Sequence, residues 1–170
     1  MIKMIGFFIV LLSSSKIGFD ISKKYSDRAK ELKSLITVFE IIKNEINFSN
    51  SVISDALKKA SGVKNKNISD LIYYLAQKSK ENDDIGKSFD NYLKINADNL
   101  SLKKCDIDVL EKIFNIIGSG DIKEEISQIS NTVKNLEILL ELSIQDEKKY
   151  SKLFKTTGIL AGLLIAVIFI

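Results

Sequence analysis

The sequence feature that most constrains the fold is the uncharged, mostly apolar stretch found at each end of the chain. The last stretch, LFKTTGILAGLLIAVIFI, carries no charged side chain after Lys155 and is apolar on every face of a helix. The first, MIKMIGFFIVLLSSSKIGF, has a shorter apolar run over residues 4–12. A helix that spans a bilayer needs about 20 such residues, and lysines at its ends can reach the headgroups. Both ends are therefore predicted to be membrane anchors, over residues 1–19 and 153–170.

The first segment also fits a secretory signal peptide. Lys3 would be its charged region, residues 4–12 its apolar region, and Ser13–Ser15 the small residues before a cleavage site. The apolar last segment favours a chain anchored at both ends. Cleavage of the first segment stays open on the sequence alone.

Basic residues indicate the orientation of the two predicted anchors. Only Lys3 lies on their outer side. Ten basic residues lie on their inner side: Lys16, Lys23, Lys24, Arg28, Lys30, Lys33, Lys148, Lys149, Lys152 and Lys155. Because basic flanks stay in the cytoplasm, residues 20–152 are predicted to be cytoplasmic.

The middle of the chain has the apolar spacing of helices. One helix face is formed by Leu32, Leu35, Ile36, Phe39, Ile42 and Ile46. Four shorter helices are predicted over 51–60, 69–80, 85–97 and 103–117, separated by Gly62 and by polar stretches. A long final helix has its apolar residues at Ile126, Ile129, Val133, Leu136, Leu140 and Ile144. The predicted fold class is all-α, a helical bundle flanked by an N-terminal and a C-terminal transmembrane helix.

Composition excludes several classes of function. The chain has no histidine, which removes His-dependent nucleophiles and most zinc sites. Its single cysteine, Cys105, therefore has no histidine to activate it. A net charge of +3 without arginine-rich runs argues against nucleic-acid binding. No catalytic group, metal or cofactor is predicted.

The stretch IIGSGDIKEEI, residues 116–126, offers two interpretations. Its glycines could belong to a phosphate-binding loop, but a predicted helix precedes it and an acid follows where a lysine would help. A structural joint fits better: Gly118 and Gly120 lie between two helices, with Gly118 in a left-handed conformation. Asp121 would then cap the next helix, and Glu124 lies three residues further on.

Five stretches, taken in order, resemble one known family, the stage III sporulation protein AB family of endospore-forming bacteria. In the second stretch Gly18, Tyr25, Arg28, Glu31 and Leu32 stand at family positions. The five stretches are IKMIGFF, IGFDISKKYSDRAKEL, NEINFSNSVISDAL, IGSGDIKEE and YSKLFKTTGILAGLLIAVIFI. The chain departs from the family pattern at Phe48, Val52 and Glu125, where Tyr, Pro and Gln are usual.

The resemblance implies a non-catalytic membrane platform, or scaffold, needed for sporulation after engulfment. The family is similar to the platform proteins of type II secretion and type IV pili, whose helical domains lie against a secretion ATPase. The implied location is the outer forespore membrane, with the bundle on the mother-cell side. The implied partners are the ATPase-like stage III sporulation protein AA, other membrane subunits of the same complex and the lipid bilayer; homo-oligomerisation stays open.

Four polar residues are the candidates for partner binding. Arg28 and Glu45 lie in family-like stretches. Glu124 and Glu125 follow the joint, where acids at a helix N-terminus are favourable; both are predicted to face solvent, where a basic partner could bind them at little desolvation cost.

Three alternatives remain from the sequence. The chain could be a membrane-bound helical sensor, although the basic flanks place its domain in the cytoplasm. It could be a secreted, signal-peptide-bearing helical binding protein. It could also be a hydrolase or phosphatase that works with carboxylates.

Overall fold

The computed structural model describes residues 2–49, 52–118 and 122–168, and almost all of this part of the chain is helical. The prediction of an all-α protein is confirmed, since the described residues contain no β-strand. The helices are α1 (Ile2–Ser49), α2 (Ile53–Ala60), α3 (Lys66–Lys80), α4 (Ile85–Asn96), α5 (Lys104–Phe114) and α6 (Ile122–Ile168), with a short 3-10 helix at Ala97–Asn99.

The predicted transmembrane helices at the two ends are wrong. Over the described residues, no helix combines the length and the apolar character that crossing a membrane requires. The apolar parts of α1 and α6 are short and continue directly into charged sequence. In α6 the uncharged stretch starts after Lys155 and its described part ends at Ile168, which is well short of about 20 residues.

The chain divides into two compact units. Unit 1 consists of Met1–Ala29 and Leu142–Ile170, and unit 2 of Lys30–Glu141. Helix α1 contributes its first part to unit 1 and the rest to unit 2, and α6 contributes in the reverse order.

Unit 2 has an apolar core to which all six helices contribute. The α1 face predicted from the sequence is confirmed, because Leu35, Phe39 and Ile42 are fully buried. At the centre, the ring of Phe114 lies 5.7 Å from that of Phe39 and 4.9 Å from that of Phe89. Such tilted aromatic contacts add to the free energy gained from burying the rings.

The apolar row predicted on α6 is only partly correct. Ile129 and Leu136 are fully buried, and Val133 is nearly so. Ile126 and Leu140 pack at the edge of the unit 2 core. Ile144, which belongs to unit 1, is 38% exposed.

Side-chain caps set where two of the short helices begin. The Asn65 side chain accepts a hydrogen bond from the backbone N–H of Ile68 at 3.2 Å, so α3 begins at Lys66. Asp84 accepts from the N–H of Lys87 at 2.8 Å and caps α4 in the same way. Each cap satisfies a backbone donor that the first turn of a helix otherwise leaves unpaired.

In unit 1, small residues let α1 and α6 approach closely. A Cβ atom on Gly18 would lie 2.6 Å from the carbonyl oxygen of Phe154, and one on Gly158 would lie 2.9 Å from the Cα of Gly18. The Ser14 hydroxyl donates to the Gly158 carbonyl at 2.7 Å. Ser14 and Gly18 are four residues apart and therefore share one face of α1.

Aromatic rings and hydroxyls continue the contact between the two helices of unit 1. The ring of Tyr25 stacks on Tyr150 and Phe154, with centroids 5.5 and 5.9 Å apart. The hydroxyls of Ser22 and Ser151 hydrogen-bond at 2.6 Å. These contacts fix the register of the two helices along several turns.

Candidate functional site

The joint between α5 and α6 begins with a turn that ends at Gly118. Helix α5 ends at Phe114, and a turn over 115–118 leads to Gly118, whose φ is +94°. The left-handed conformation predicted for Gly118 is confirmed, and glycine adopts it without a Cβ clash. Gly120 and Asp121 lie outside the described residues, so the cap predicted at Asp121 stays a prediction.

Glu125 holds this turn rather than facing solvent. Its carboxylate oxygen Oε1 accepts a hydrogen bond from the backbone N–H of Gly118 at 3.0 Å, and the residue is 5% exposed. The expectation that it faces solvent is wrong because Glu125 lies four residues before the buried Ile129, on the same face of α6. Glu124, its neighbour in the first turn of α6, is exposed as expected.

Arg28 is buried in unit 1. Its residue is 4% exposed, and its Nη1 lies 3.6 Å from Oδ2 of Asp146, whose side chain is 30% exposed. A buried guanidinium is stable only when it is paired, so this ion pair is a requirement of the packing between α1 and α6. A partner protein has little access to Arg28 in this arrangement.

Glu45 joins two helices of unit 2. Its Oε1 lies 2.6 Å from Nζ of Lys59 on α2. The Glu45 side chain is 18% exposed and that of Lys59 is 65% exposed. Surface pairs of this kind contribute about 0–1 kcal/mol, so a partner could displace the lysine at small cost.

The four candidates are divided between the two units. Arg28 lies in unit 1, whereas Glu45, Glu124 and Glu125 lie in unit 2. Two of the four, Arg28 and Glu125, are buried.

Glu31, which the sequence marks only as a family position, is a buried acid that joins three segments of unit 2. It is fully buried in unit 2 and accepts hydrogen bonds from Nδ2 of Asn67 at 2.9 Å and from the backbone N–H of Ser101 at 2.7 Å. It therefore connects α1 to α3 and to the segment that follows the 3-10 helix. The signal was present in the sequence, because Glu31 stands four residues before Leu35, on the buried face of α1.

Asp106 is another buried carboxylate whose hydrogen bond serves the backbone. It is fully buried, and its Oδ2 accepts from the backbone N–H of Lys103 at 2.8 Å at the start of α5. Within the described residues, no group of three or more potential metal-ligating side chains comes together. The chemistry that the geometry shows for these carboxylates is hydrogen bonding that holds turns and helices in place.

A helical bundle in which buried carboxylates hold turns and helix ends is the class of protein that these contacts define. Comparison with known families identifies it further. The model of the family described as stage III sporulation protein AB matches residues 3–170. The chain belongs to this family.

A curated relative and a solved structure agree with this assignment. The chain is 25% identical over 166 residues to the stage III sporulation protein AB of Bacillus subtilis (strain 168), covering 97% of each chain. A solved structure of a stage III sporulation protein AB superposes with a TM-score of 0.65 at 20% identity, over 72% of this chain and 98% of that one. At this identity the structural match shows a shared fold.

Proposed function

We propose that the chain is a non-catalytic scaffold subunit of the sporulation complex that joins mother cell and forespore. The observation that carries the proposal is the use of the buried carboxylates. Glu31, Asp106 and Glu125 each accept a hydrogen bond from a backbone N–H, which fixes the shape of unit 2. A bundle of fixed shape presents a constant surface to a partner, as a scaffold requires.

The proposed partner is the ATPase-like stage III sporulation protein AA, together with other membrane subunits of the same complex. This part of the proposal extends from the family and from its similarity to secretion platform proteins. The surface of unit 2 is the proposed contact, because most of the exposed charged residues of this bundle belong to its short helices and the loops between them.

The proposal includes contact with a lipid bilayer, at the outer forespore membrane. Its support is the concentration of exposed apolar side chains in unit 1, because large exposed apolar areas mark interaction sites. The exposed apolar residues include Phe8, Ile9, Leu12, Ile17 and Phe19 on α1 and Leu153, Ile159, Leu160, Leu163, Leu164, Ile165 and Val167 on α6.

The test is a binding titration of the detergent-purified full chain against purified stage III sporulation protein AA. We expect saturable 1:1 or oligomeric binding that depends on folded unit 2. A variant that carries Glu31→Ala serves as the control. It lacks the acceptor for two hydrogen bonds of unit 2, so its binding should fall in proportion to the fraction of the protein that is unfolded. A wild-type chain that binds neither this protein nor any other subunit of the complex would contradict the scaffold proposal.

An enzyme assay tests the non-catalytic part of the proposal separately. Phosphate-ester and nucleotide hydrolysis by the same preparation should stay at the level of a buffer blank. Turnover that disappears with Asp121→Ala would show instead that the joint carries a catalytic acid.

A further inference from the structure

Three segments of unit 2 meet around one groove of about 430 Å³. Val52 and Ile53 come from the start of α2, and residues 82–85 from the connection between α3 and α4. The turn that follows α5 supplies Asn115, Ile117 and Gly118. The volume of the groove lies in the range of pockets that accept a side chain or a small ligand.

The groove has an apolar floor and an exposed apolar edge. Phe114, Ile117 and Ile85 are each at most 7% exposed, so the floor belongs to the core of unit 2. Val52, in contrast, is 67% exposed although it lines the same groove. An aliphatic side chain placed here would cover Val52 and rest on the floor, which removes apolar surface from water.

The rim of the groove is acidic. Asp83 and Asp84 line it and are both exposed, and among the described residues no lysine or arginine lines it. Lys78 pairs with two acids of this turn. Its Nζ lies 2.7 Å from Oε2 of Glu81 and 3.3 Å from Oδ2 of Asp83. Hydrogen bonds with Glu81 and then with Asp83 raise the pKa of the Lys78 ammonium above its usual value. Across residues 78–84, two lysines and three acids leave a formal charge of −1 (+2 and −3), and the two acids at the groove itself are Asp83 and Asp84.

The backbone that shapes the groove is fixed by two unusual turns. Asn82, with φ +64°, and Gly118, with φ +94°, are the positions of positive φ among the described residues, and both line the groove. Asp84 adds the cap that starts α4 at the rim. A groove whose walls are already in place loses little conformational entropy when it binds.

We propose that this groove binds a segment of a partner protein in which an aliphatic side chain is flanked by lysine or arginine. The aliphatic side chain would cover Val52, and the basic residues would pair with Asp83 and Asp84. The negative rim disfavours anionic lipid headgroups, so the occupant is a protein segment rather than a bilayer. The inference rests on the proposed scaffold function and gives that function a docking site.

The binding titration described above is repeated with variants of the full chain. Val52→Lys removes the apolar contact and adds a repelling charge, and we expect binding at least about tenfold weaker. Asp83→Asn with Asp84→Asn removes two charges, and Asn keeps the α4 cap; we expect about fivefold weaker binding and a smaller dependence on salt. Thermal unfolding followed by circular dichroism should show both variants folded.

Matched controls lie on the same unit but do not line the groove. Ile95→Lys changes an apolar residue that is 82% exposed, and Asp90→Asn with Asp108→Asn removes two exposed carboxylates. Both controls should bind within about twofold of wild type. If wild type binds and the groove variants bind equally well, the groove inference is wrong and the scaffold proposal stands; if wild type does not bind, the scaffold proposal itself fails.

The identity of the occupant is tested by photocrosslinking. Benzoylphenylalanine replaces Val52 in the full chain, with Ile95 as the control position, and crosslinked peptides are sequenced by mass spectrometry. The inference requires a peptide from another protein that carries an aliphatic residue beside lysine or arginine, and a yield that falls in the Asp83→Asn, Asp84→Asn background. A peptide from a second copy of this chain, an acidic peptide, or equal crosslinking from both positions would overturn it.

Discussion

Glu124 and Glu125 are adjacent acids in different environments, because neighbouring residues of a helix face different directions. Both lie in the first turn of α6, where the N-terminal end of the helix favours negative charge. Glu125 is buried and accepts from Gly118, whereas Glu124 is exposed. The fold of the joint therefore depends on Glu125, and Glu124 is the one that a partner could reach.

We predict that Glu125→Ala lowers the free energy of unfolding by about 1–3 kcal/mol, because the turn at Gly118 then loses a hydrogen bond to a charged acceptor. Glu124→Ala should lower it by less than about 1 kcal/mol, which is the usual contribution of an exposed helix-end charge. Urea unfolding of the full chain, followed by circular dichroism, measures both. Glu125→Gln is the control for charge, since it keeps an oxygen acceptor and should fall between the two. Equal values for Glu124→Ala and Glu125→Ala would contradict the structural role of Glu125.

The burial of these acids follows in part from the sequence. Helical spacing places Glu31 on the face of Leu35 and Glu125 on the face of Ile129, so their side of the helix is predictable. Their partners are not, because Asn67 and Ser101 lie 36 and 70 residues from Glu31 along the chain. Only the tertiary fold brings such donors to the carboxylate. The sequence alone therefore predicts a surface position for Glu125, which is wrong.

At the scale of elements, local signals predict the short helices and the long α6, but not the full length of α1. The polar stretch that ends at Asp84 correctly predicts the start of α4. The cap at Asn65 is not predicted, and α3 begins at Lys66 rather than at Ser69. Helix α1 was predicted as a membrane anchor followed by a separate helix, yet it is continuous from Ile2 to Ser49. The chain has no proline to interrupt it. Gly18 of α1 is where α6 packs closely.

We predict that Gly18→Ala destabilises the pairing of α1 and α6 by about 1–3 kcal/mol. The added methyl would meet the backbone carbonyl of Phe154 at 2.6 Å, and backbone cannot move aside as a side chain can. Gly6→Ala is the matched control on the same helix, because nothing lies within 4 Å of its added Cβ. That control should be neutral or slightly stabilising, since alanine favours helix over glycine. Thermal unfolding of the full chain measures both, and equal melting temperatures for the two variants would show that the close approach at Gly18 is not required.

At the scale of the whole molecule, the two units differ in what stabilises them and in what they expose. Unit 2 buries phenylalanine, leucine and isoleucine side chains in one core, and its buried acids are hydrogen-bonded. Unit 1 relies on close backbone approach, stacked aromatic rings and the Arg28–Asp146 pair. Several of its large apolar side chains stay exposed, among them Leu160 and Leu164. This difference assigns partner binding to unit 2 and bilayer contact to unit 1 within the proposed function.

A fragment of residues 30–141 tests that division. We predict that it folds by itself, because all the buried side chains of the unit 2 core lie within it. Its urea unfolding should be cooperative, with a slope of about 1–2 kcal/mol per molar that is typical of a domain of this size. It should bind stage III sporulation protein AA within about threefold of the full chain, since the groove at Val52 is retained intact.

The same fragment should no longer associate with lipid vesicles. It lacks the exposed apolar residues of unit 1, so flotation with phosphatidylglycerol-containing vesicles should recover the full chain and leave the fragment at the bottom of the gradient. A full chain with Leu160→Lys and Leu164→Lys is the intermediate case and should float less, while Ile95→Lys with Ile138→Lys, which changes two exposed apolar residues of unit 2, should float like wild type. Flotation of the fragment at the level of the full chain would show that unit 2 contacts lipid. In that case the acidic residues Asp83 and Asp84 do not prevent unit 2 from contacting the bilayer.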